Sequence, residues 1–325
     1  MNAHVEAPEI PAEAKPLADG IYFGLSDQQY HADPALGSSG LKKLVDNAPD
    51  FWWSSWMNPA RDEESDDTPS KIFGRQLHQC VLEGVDKFKS GHSPQYHPGN
   101  RKDGIAEIAA IREEGKVPVK FRDWQRILAA SAFIKANKNL ANAFTGGQPE
   151  VSVFWTVDGV RFKARFDYLK TRAITDLKSI RSKNEKPFQM QCMDAIANYD
   201  YPVSAEHYSE GRRQMINLLK RDAVFGAEEN GVRIPWLIEL AGIPFAFVFV
   251  FWKAEGSPIT SGFTLSPQNS LLEIGRRRIT RAVQNYRLFM EEFGTDTAWV
   301  LNEPLKEIDE TDLPQYYHYR NAQGA

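Results

Sequence analysis

Cysteine is nearly absent from this chain. Cys80 and Cys192 are the only two in 325 residues, and neither belongs to a CxxC pair. A zinc ribbon, an iron–sulfur cluster and a disulfide framework are thereby excluded, and a reducing cytoplasm is the expected compartment. Long apolar runs are missing too. The longest, Pro244 to Trp252, is too short to span a bilayer and reads as a buried strand, so no membrane association is expected. No basic start followed by an apolar stretch marks a secretory signal. Positive charge is not in excess either: 39 Lys and Arg stand against 43 Asp and Glu, a net charge of −4. That balance does not advertise a nucleic-acid binder.

What is present is ordinary in bulk and uneven in placement. A hydrophobic content of 42% and a charged content of 25% are those of a globular protein with a sizeable core. Residues 1–20 and 61–67 are acidic, whereas residues 160–186 hold nine Lys or Arg against three Asp or Glu. Such a basic run also describes a plain solvated face. Residues 1–19, rich in Ala, Glu and Pro, are expected to be flexible, residues 20–300 to form a single domain, and residues 301–325 a tail.

Apolar spacing predicts helices after Ser38-Ser39, from Ser70, over 104–114 and 121–144, over 185–198 and 203–222 with a break at Pro202, and over 268–293. Phe51-Trp52-Trp53 and Trp56 are expected in the core. Residues 89–104 read as a Gly/Pro-rich loop. Between the helices the period changes to two. Val151, Val153, Trp155 and Val157 alternate with polar or facing residues, and Asp158-Gly159 signals a hairpin. Val160, Phe162, Ala164, Phe166 and Tyr168 then alternate with Arg161, Lys163, Arg165 and Asp167, and a third run follows over 174–180. The expectation is an antiparallel meander with one charged face, extended by strands at 244–253 and 262–265. The fold class is α/β or α+β, a mixed sheet flanked by helices.

The meander carries the chemistry. Residues two apart on a strand share a face, so Asp176 and Lys178 project together, and hairpin pairing adds Asp167. Two carboxylates and an ammonium are a layout for holding a hard cation and activating a water, as phosphodiester hydrolysis requires. The lysine would orient the water or help to deprotonate it. The same spacing also fits a surface strand with a cross-strand salt bridge. Glu150, just before the first strand, can reach the edge of the same site. His78 lies one turn beyond Gly74, where a helix with no side chain could approach the sheet closely.

Several blocks together resemble the nuclease domain of exonuclease VIII (RecE), within the PD-(D/E)xK superfamily that includes lambda exonuclease and the RecB nuclease domain. They are Tyr30-His31-Ala32-Asp33-Pro34 with Ser38-Ser39; the helix from Gly74 through His78 to Leu82-Glu83; Glu150 with Phe154-Trp155; Arg165-Phe166-Asp167; Asp176-Leu177-Lys178-Ser179; Tyr199-Asp200-Tyr201; and Tyr208-Ser209-Glu210-Gly211. One position departs: the family's glutamine four residues before the tyrosine is Ser204 here. The resemblance implies a restriction-endonuclease-like fold with Asp167, Asp176, Glu150 and Lys178 as the catalytic set. His78, Asp167, Asp176, Glu150 and the Leu177 carbonyl would hold Mg²⁺, with Mn²⁺ as a substitute. Arg165, Ser179, Arg181 and Tyr208 would contact DNA.

The activity so implied is exonucleolytic degradation of linear duplex DNA from 5′ ends, leaving 3′ single strands for a RecT-like annealing partner. The assembly would be a toroidal trimer or tetramer, in the cytoplasm of a bacterial host and encoded by a phage or prophage. An endonuclease or single-strand nuclease on the same scaffold, and a module that binds DNA or a protein without cutting, are the alternatives.

Overall fold

Asp158 and Gly159 adopt φ values of 48° and 77° in succession. Two left-handed residues in a row make a turn whose twist matches the strands it joins. In this computed structural model, which describes residues 16–61, 68–181 and 186–322, that turn links the two longest strands. The strands are β1 (Gly20–Tyr22), β2 (His92–Gln95), β3 (Val117–Lys120), β4 (Gly147–Val157), β5 (Val160–Lys170), β6 (Ala173–Ile180), β7 (Val224–Phe225), β8 (Ala246–Lys253) and β9 (Thr260–Leu265). Seven of them form a mixed sheet in the order β7-β1-β4-β5-β6-β8-β9; β2 and β3 pair separately. The expected meander β4-β5-β6 is its antiparallel centre, and β6 then runs parallel to β8 from Ala173–Ala246 to Ile180–Lys253.

Helices cover both faces. They are α1 (Asp27–Ala32), α2 (Ser38–Asp46), α3 (Ala48–Ser54), α4 (Pro69–His78), α5 (Val85–Gly91), α6 (Lys102–Glu113), α7 (Phe121–Ala136), α8 (Phe188–Asn198), α9 (Tyr201–Leu219), α10 (Ile234–Ala241), α11 (Ser270–Phe293) and α12 (Gln315–Ala322). One face packs Val203, Ala205, Met215, Leu272 and Ala282 of α9 and α11 against Phe166, Phe247 and Phe249. The other packs Phe73, Leu77, Ile127 and Ile134 of α4 and α7 against Tyr168, Leu177 and Val250. Each such large side chain contributes roughly 1.5–3 kcal/mol on burial. Helix α9 lies close to the sheet because Gly211 faces the Trp155 ring, where a Cβ would sit 3.0 Å from it. Among the described residues, no helix is long and apolar enough to cross a membrane.

Several expectations are corrected here. Ser38 and Ser39, expected to precede α2, are its first two residues after an N-cap at Gly37, and Pro202 opens α9 rather than breaking a helix, since the first turn needs no N–H from it. The loop at 89–104 contains β2 and the start of α6. Phe51 and Trp52 are buried, but Trp53 and Trp56 are exposed. Gly74 brings no close approach: a Cβ there would meet nothing within 4 Å.

The charged face of β5 is not a solvent face. Lys163 and Arg165 are buried under the N-terminal segment. The Lys163 ammonium donates to the carbonyls of Tyr30 at 2.7 Å and Asp33 at 2.6 Å. The expected flexible segment 1–19 lies outside the described residues up to 15, but Leu17 N donates to Asp33 Oδ2 at 2.8 Å and Asp19 pairs with Arg161. Much of the acidic run 61–67 and part of the basic run, residues 182–185, lie outside the described residues. In the tail, residues 300–320 are exposed apart from half-buried Leu313 and His318, with α12 at the end.

Candidate metal centre

Strands β5 and β6 pair at Lys170–Ala173, Leu169–Ile174 and Tyr168–Thr175, and then part. Asp167 and Asp176 are the first residues past the last pair, one on each arm of the fork. On the other side of β5 the ladder with β4 is whole except at one rung, Glu150 opposite Asp167. Glu150 has φ 51°, a left-handed conformation that is uncommon for a non-glycine residue inside a strand. The alternation of β5 slips at the same place. Phe166 and Leu169 pack on one face of the sheet and Tyr168 on the other. Both neighbours of Asp167 thus release it from regular pairing.

Helix α4 supplies the opposite wall. Its last residue is His78, after which the chain widens into a π-helical turn over Gln79–Glu83. Such widened turns recur at functional sites. His78, Glu150 and Asp167 each present one ligand atom, all within 4.8 Å of one another. His78 Nδ1 lies 3.8 Å from Asp167 Oδ2, and that oxygen also accepts a 2.7 Å hydrogen bond from Leu177 N. Leu177, expected to contribute its carbonyl, has its N–H hydrogen-bonded to Asp167 in the site. Burial, with the charge of Asp167 added, pushes the Glu150 carboxyl up to about 8.

Asp176 lies outside that triad. It is fully buried, and its Oδ2 meets the Lys178 ammonium at 2.7 Å, off the angle of a hydrogen bond; Oδ1 has no partner. Burial raises the Asp176 carboxyl; Lys178 works against this and Asp167 adds to it. Burial also disfavours the Lys178 charge, but Asp176 and then Asp167 outweigh it and hold the ammonium above its ordinary value. Lys178 thus stands as a positive charge beside Asp176.

The remaining predicted residues separate. Tyr208 lines the cleft, hydrogen-bonded with Ser38, its phenol pushed up to about 12 by burial. Arg165 lines it too, but Nε donates to Ser152 Oγ, one terminal nitrogen to Asp27, and the other to the carbonyls of Leu25 and Ser26. It ties down the N-terminal segment rather than presenting an open fork to phosphate. Ser179 is exposed on the face opposite Lys178, and Arg181 is exposed beyond the strand end, 4.0 Å from Glu255. Ser204 is buried in α9.

The cleft over the triad has a volume of about 740 Å³. It is lined as well by Tyr30, His31, Arg75 and Glu83, none of which the sequence had marked as a site residue. Arg75 stands one turn before His78, and helical spacing was signal enough to include it.

The donor set fits a divalent cation. Two carboxylates and an imidazole converge, a third carboxylate beside them has a buried oxygen without a partner, and burial, with the charge of Asp167 added, raises two of the acids. Oxygen-rich sets of this kind suit hard ions.

Residues 54–229 match a family model described as a PDDEXK-like domain of unknown function, DUF3799. The fold is also similar to the crystal structure of a candidate exonuclease from Eubacterium rectale, with a TM-score of 0.51 and 13% sequence identity over 90% of this chain and 99% of that one. No curated protein matches. A helix-flanked mixed sheet of the restriction-endonuclease type, a fork of acids followed by a lysine, and a family model spanning more than half of the chain lead to one conclusion: this protein belongs to the DUF3799 family of PDDEXK-like domains.

Proposed function

We propose that the protein is a Mg²⁺-dependent exodeoxyribonuclease acting on the ends of linear duplex DNA. The observation that carries the hydrolytic part is the fork itself, where His78, Glu150 and Asp167 meet beside the buried Asp176–Lys178 pair. His78, Glu150, Asp167 and Asp176 would hold the ion, which when bound lowers the pKa of water and polarises a phosphate oxygen. The chain's own residues do the rest. Leu177 N–H holds the Asp167 oxygen that faces His78, fixing the carboxylate in the fork. The Lys178 ammonium places positive charge where a phosphorane would develop negative charge. Tyr208 and Arg75 stand along the cleft as contacts for the strand.

The exonucleolytic mode, the 5′ to 3′ direction and a phage-type annealing partner are supported by the motif resemblance, and the mode also by the Eubacterium rectale neighbour. A toroidal homo-oligomer and a cytoplasmic setting belong to the same reading. Digestion of linear duplex DNA labelled at either end, with Mg²⁺, tests it. Wild type should release the 5′ label and leave closed circular duplex intact, and Asp176→Ala should be inactive. Cutting of the closed circle would make the protein an endonuclease. Equal activity of wild type and Asp176→Ala would remove the site assignment.

A further inference from the structure

Three rings run from the core to the surface next to Lys178. Phe249 lies opposite Asp176 in the β6–β8 ladder. Tyr201 stacks on it at 5.7 Å and 27°, and Tyr199 stacks on Tyr201 at 5.8 Å and 26°. Phe249 is buried, Tyr201 half-buried, and Tyr199 is 64% exposed. Two ammoniums attend the middle ring: Lys178 Nζ is 5.4 Å from its centroid and Lys42 Nζ, from α2, 5.2 Å.

The backbone between the tyrosines is unusual. Asp200 has φ 49°, the left-handed region, although it is not glycine. It is held there by Arg278 of α11, whose Nε donates to Asp200 Oδ2 at 2.8 Å and whose other end reaches Asp46 at 2.9 Å. Strain of this kind persists only where its surroundings enforce it. Here it turns two successive odd-numbered rings to the same side, so that the outer one covers the inner one. A core has no need of the outer ring, which leaves most of its surface in water.

We propose that Tyr199 is a stacking platform for an unpaired base of the DNA strand whose phosphates lie at Lys178 and Lys42. Successive bases stack on exposed aromatic rings while cations follow the phosphates, a combination that binds single strands without reading their sequence. Charge selects the occupant: Lys42 and the Asp176-paired Lys178 flank the ring stack, which favours an occupant that carries phosphates over an apolar partner. An aromatic ledge one stacking step beyond Tyr201 holds a base only after it has left its pair. The ledge therefore serves a frayed or single-stranded end, not the intact duplex.

This inference rests on the nuclease reading, and its test separates the two. A short single-stranded DNA containing 2-aminopurine is titrated with the full chain, Ca²⁺ replacing Mg²⁺. Wild type should quench the 2-aminopurine fluorescence, the mark of a stacked base. Tyr199→Ala should lose the quench and bind about tenfold more weakly, while Tyr199→Trp should keep both. Circular dichroism confirms that the variants are folded. If Tyr199→Ala quenches and binds like wild type while wild type digests DNA with Mg²⁺, the ledge is wrong and the nuclease stands. Equal loss in Tyr199→Ala and Tyr199→Trp also overturns the ledge. A wild type that neither binds nor digests removes both.

Discussion

Strand β5 passes through two charge clusters, buried or half-buried, built on opposite terms. In the first, Arg161 and Lys163 meet Asp33. Both oxygens of Asp33 accept from backbone N–H groups, Leu17 and Ala35, and Oδ1 also meets Arg161. Lys163 is committed to two carbonyls. In the second, Asp167, Glu150 and His78 crowd together and Asp176 has an oxygen with no partner. Both set ionisable side chains in buried or half-buried positions. What differs is whether the polar atoms are satisfied. A satisfied cluster fastens one segment to another, whereas an unsatisfied one stores a requirement for something to be bound.

The comparison can be broken most directly at Asp167. Asp167→Asn should lower nuclease activity by about 100–1000-fold. Its unfolding midpoint without metal should be no lower than wild type, because one of the mutually repelling acids is gone. A large loss of stability in chemical denaturation would put Asp167 with the fastening cluster instead. The opposite result is expected at Lys163. Lys163→Met leaves two buried carbonyls without a donor and should cost about 2–3 kcal/mol in urea unfolding. Activity per folded molecule should stay near wild type, and a selective loss of kcat would blur the distinction.

The smallest effect concerns pH. Glu150 is raised from 4.5 to about 8, so across that window the folded chain keeps a proton that the unfolded chain has released. Stability without metal therefore falls as pH rises through it. Between pH 6.5 and 8.5, in EDTA, wild type should lose about 1–2 kcal/mol relative to Glu150→Gln. Mg²⁺ should restore more stability at pH 8.5 than at 6.5, since binding needs the carboxylate. Parallel pH profiles for the two proteins would mean that Glu150 is not the group under strain.

Local pattern made a good part of this molecule legible. The Asp158-Gly159 turn, the alternation after Val151 and the Asp176–Lys178 pair depend only on neighbours in sequence, and all three appear in the expected places. Whatever depended on distant contacts was hidden. Arg161, Lys163 and Arg165 looked like a solvent face because nothing local shows that residues 17–36 fold over them. The fork was hidden as well: a left-handed Glu150 and a slipped Asp167 leave no trace in hydrophobic periodicity. Tyr199 stood in a quoted block, but its stacking on Tyr201 depends on the backbone of Asp200. Strands of two or three residues, such as β1 and β7, are too short for any period to register.

The long parallel ladder between β6 and β8 sets an order of events for the molecule. Asp176 and Lys178 precede the strand that holds them in register by some seventy residues, and the region matched by the family model ends at 229, before β8 begins at Ala246. A chain emerging from the ribosome therefore carries every acid of the centre well before it can hold them in place. Until β8 is made, the only ladder that β6 can form is its three-rung pairing with β5. The register that joins Asp176 and Lys178 to β8 is thus completed only by the sequence that follows the family-matched region.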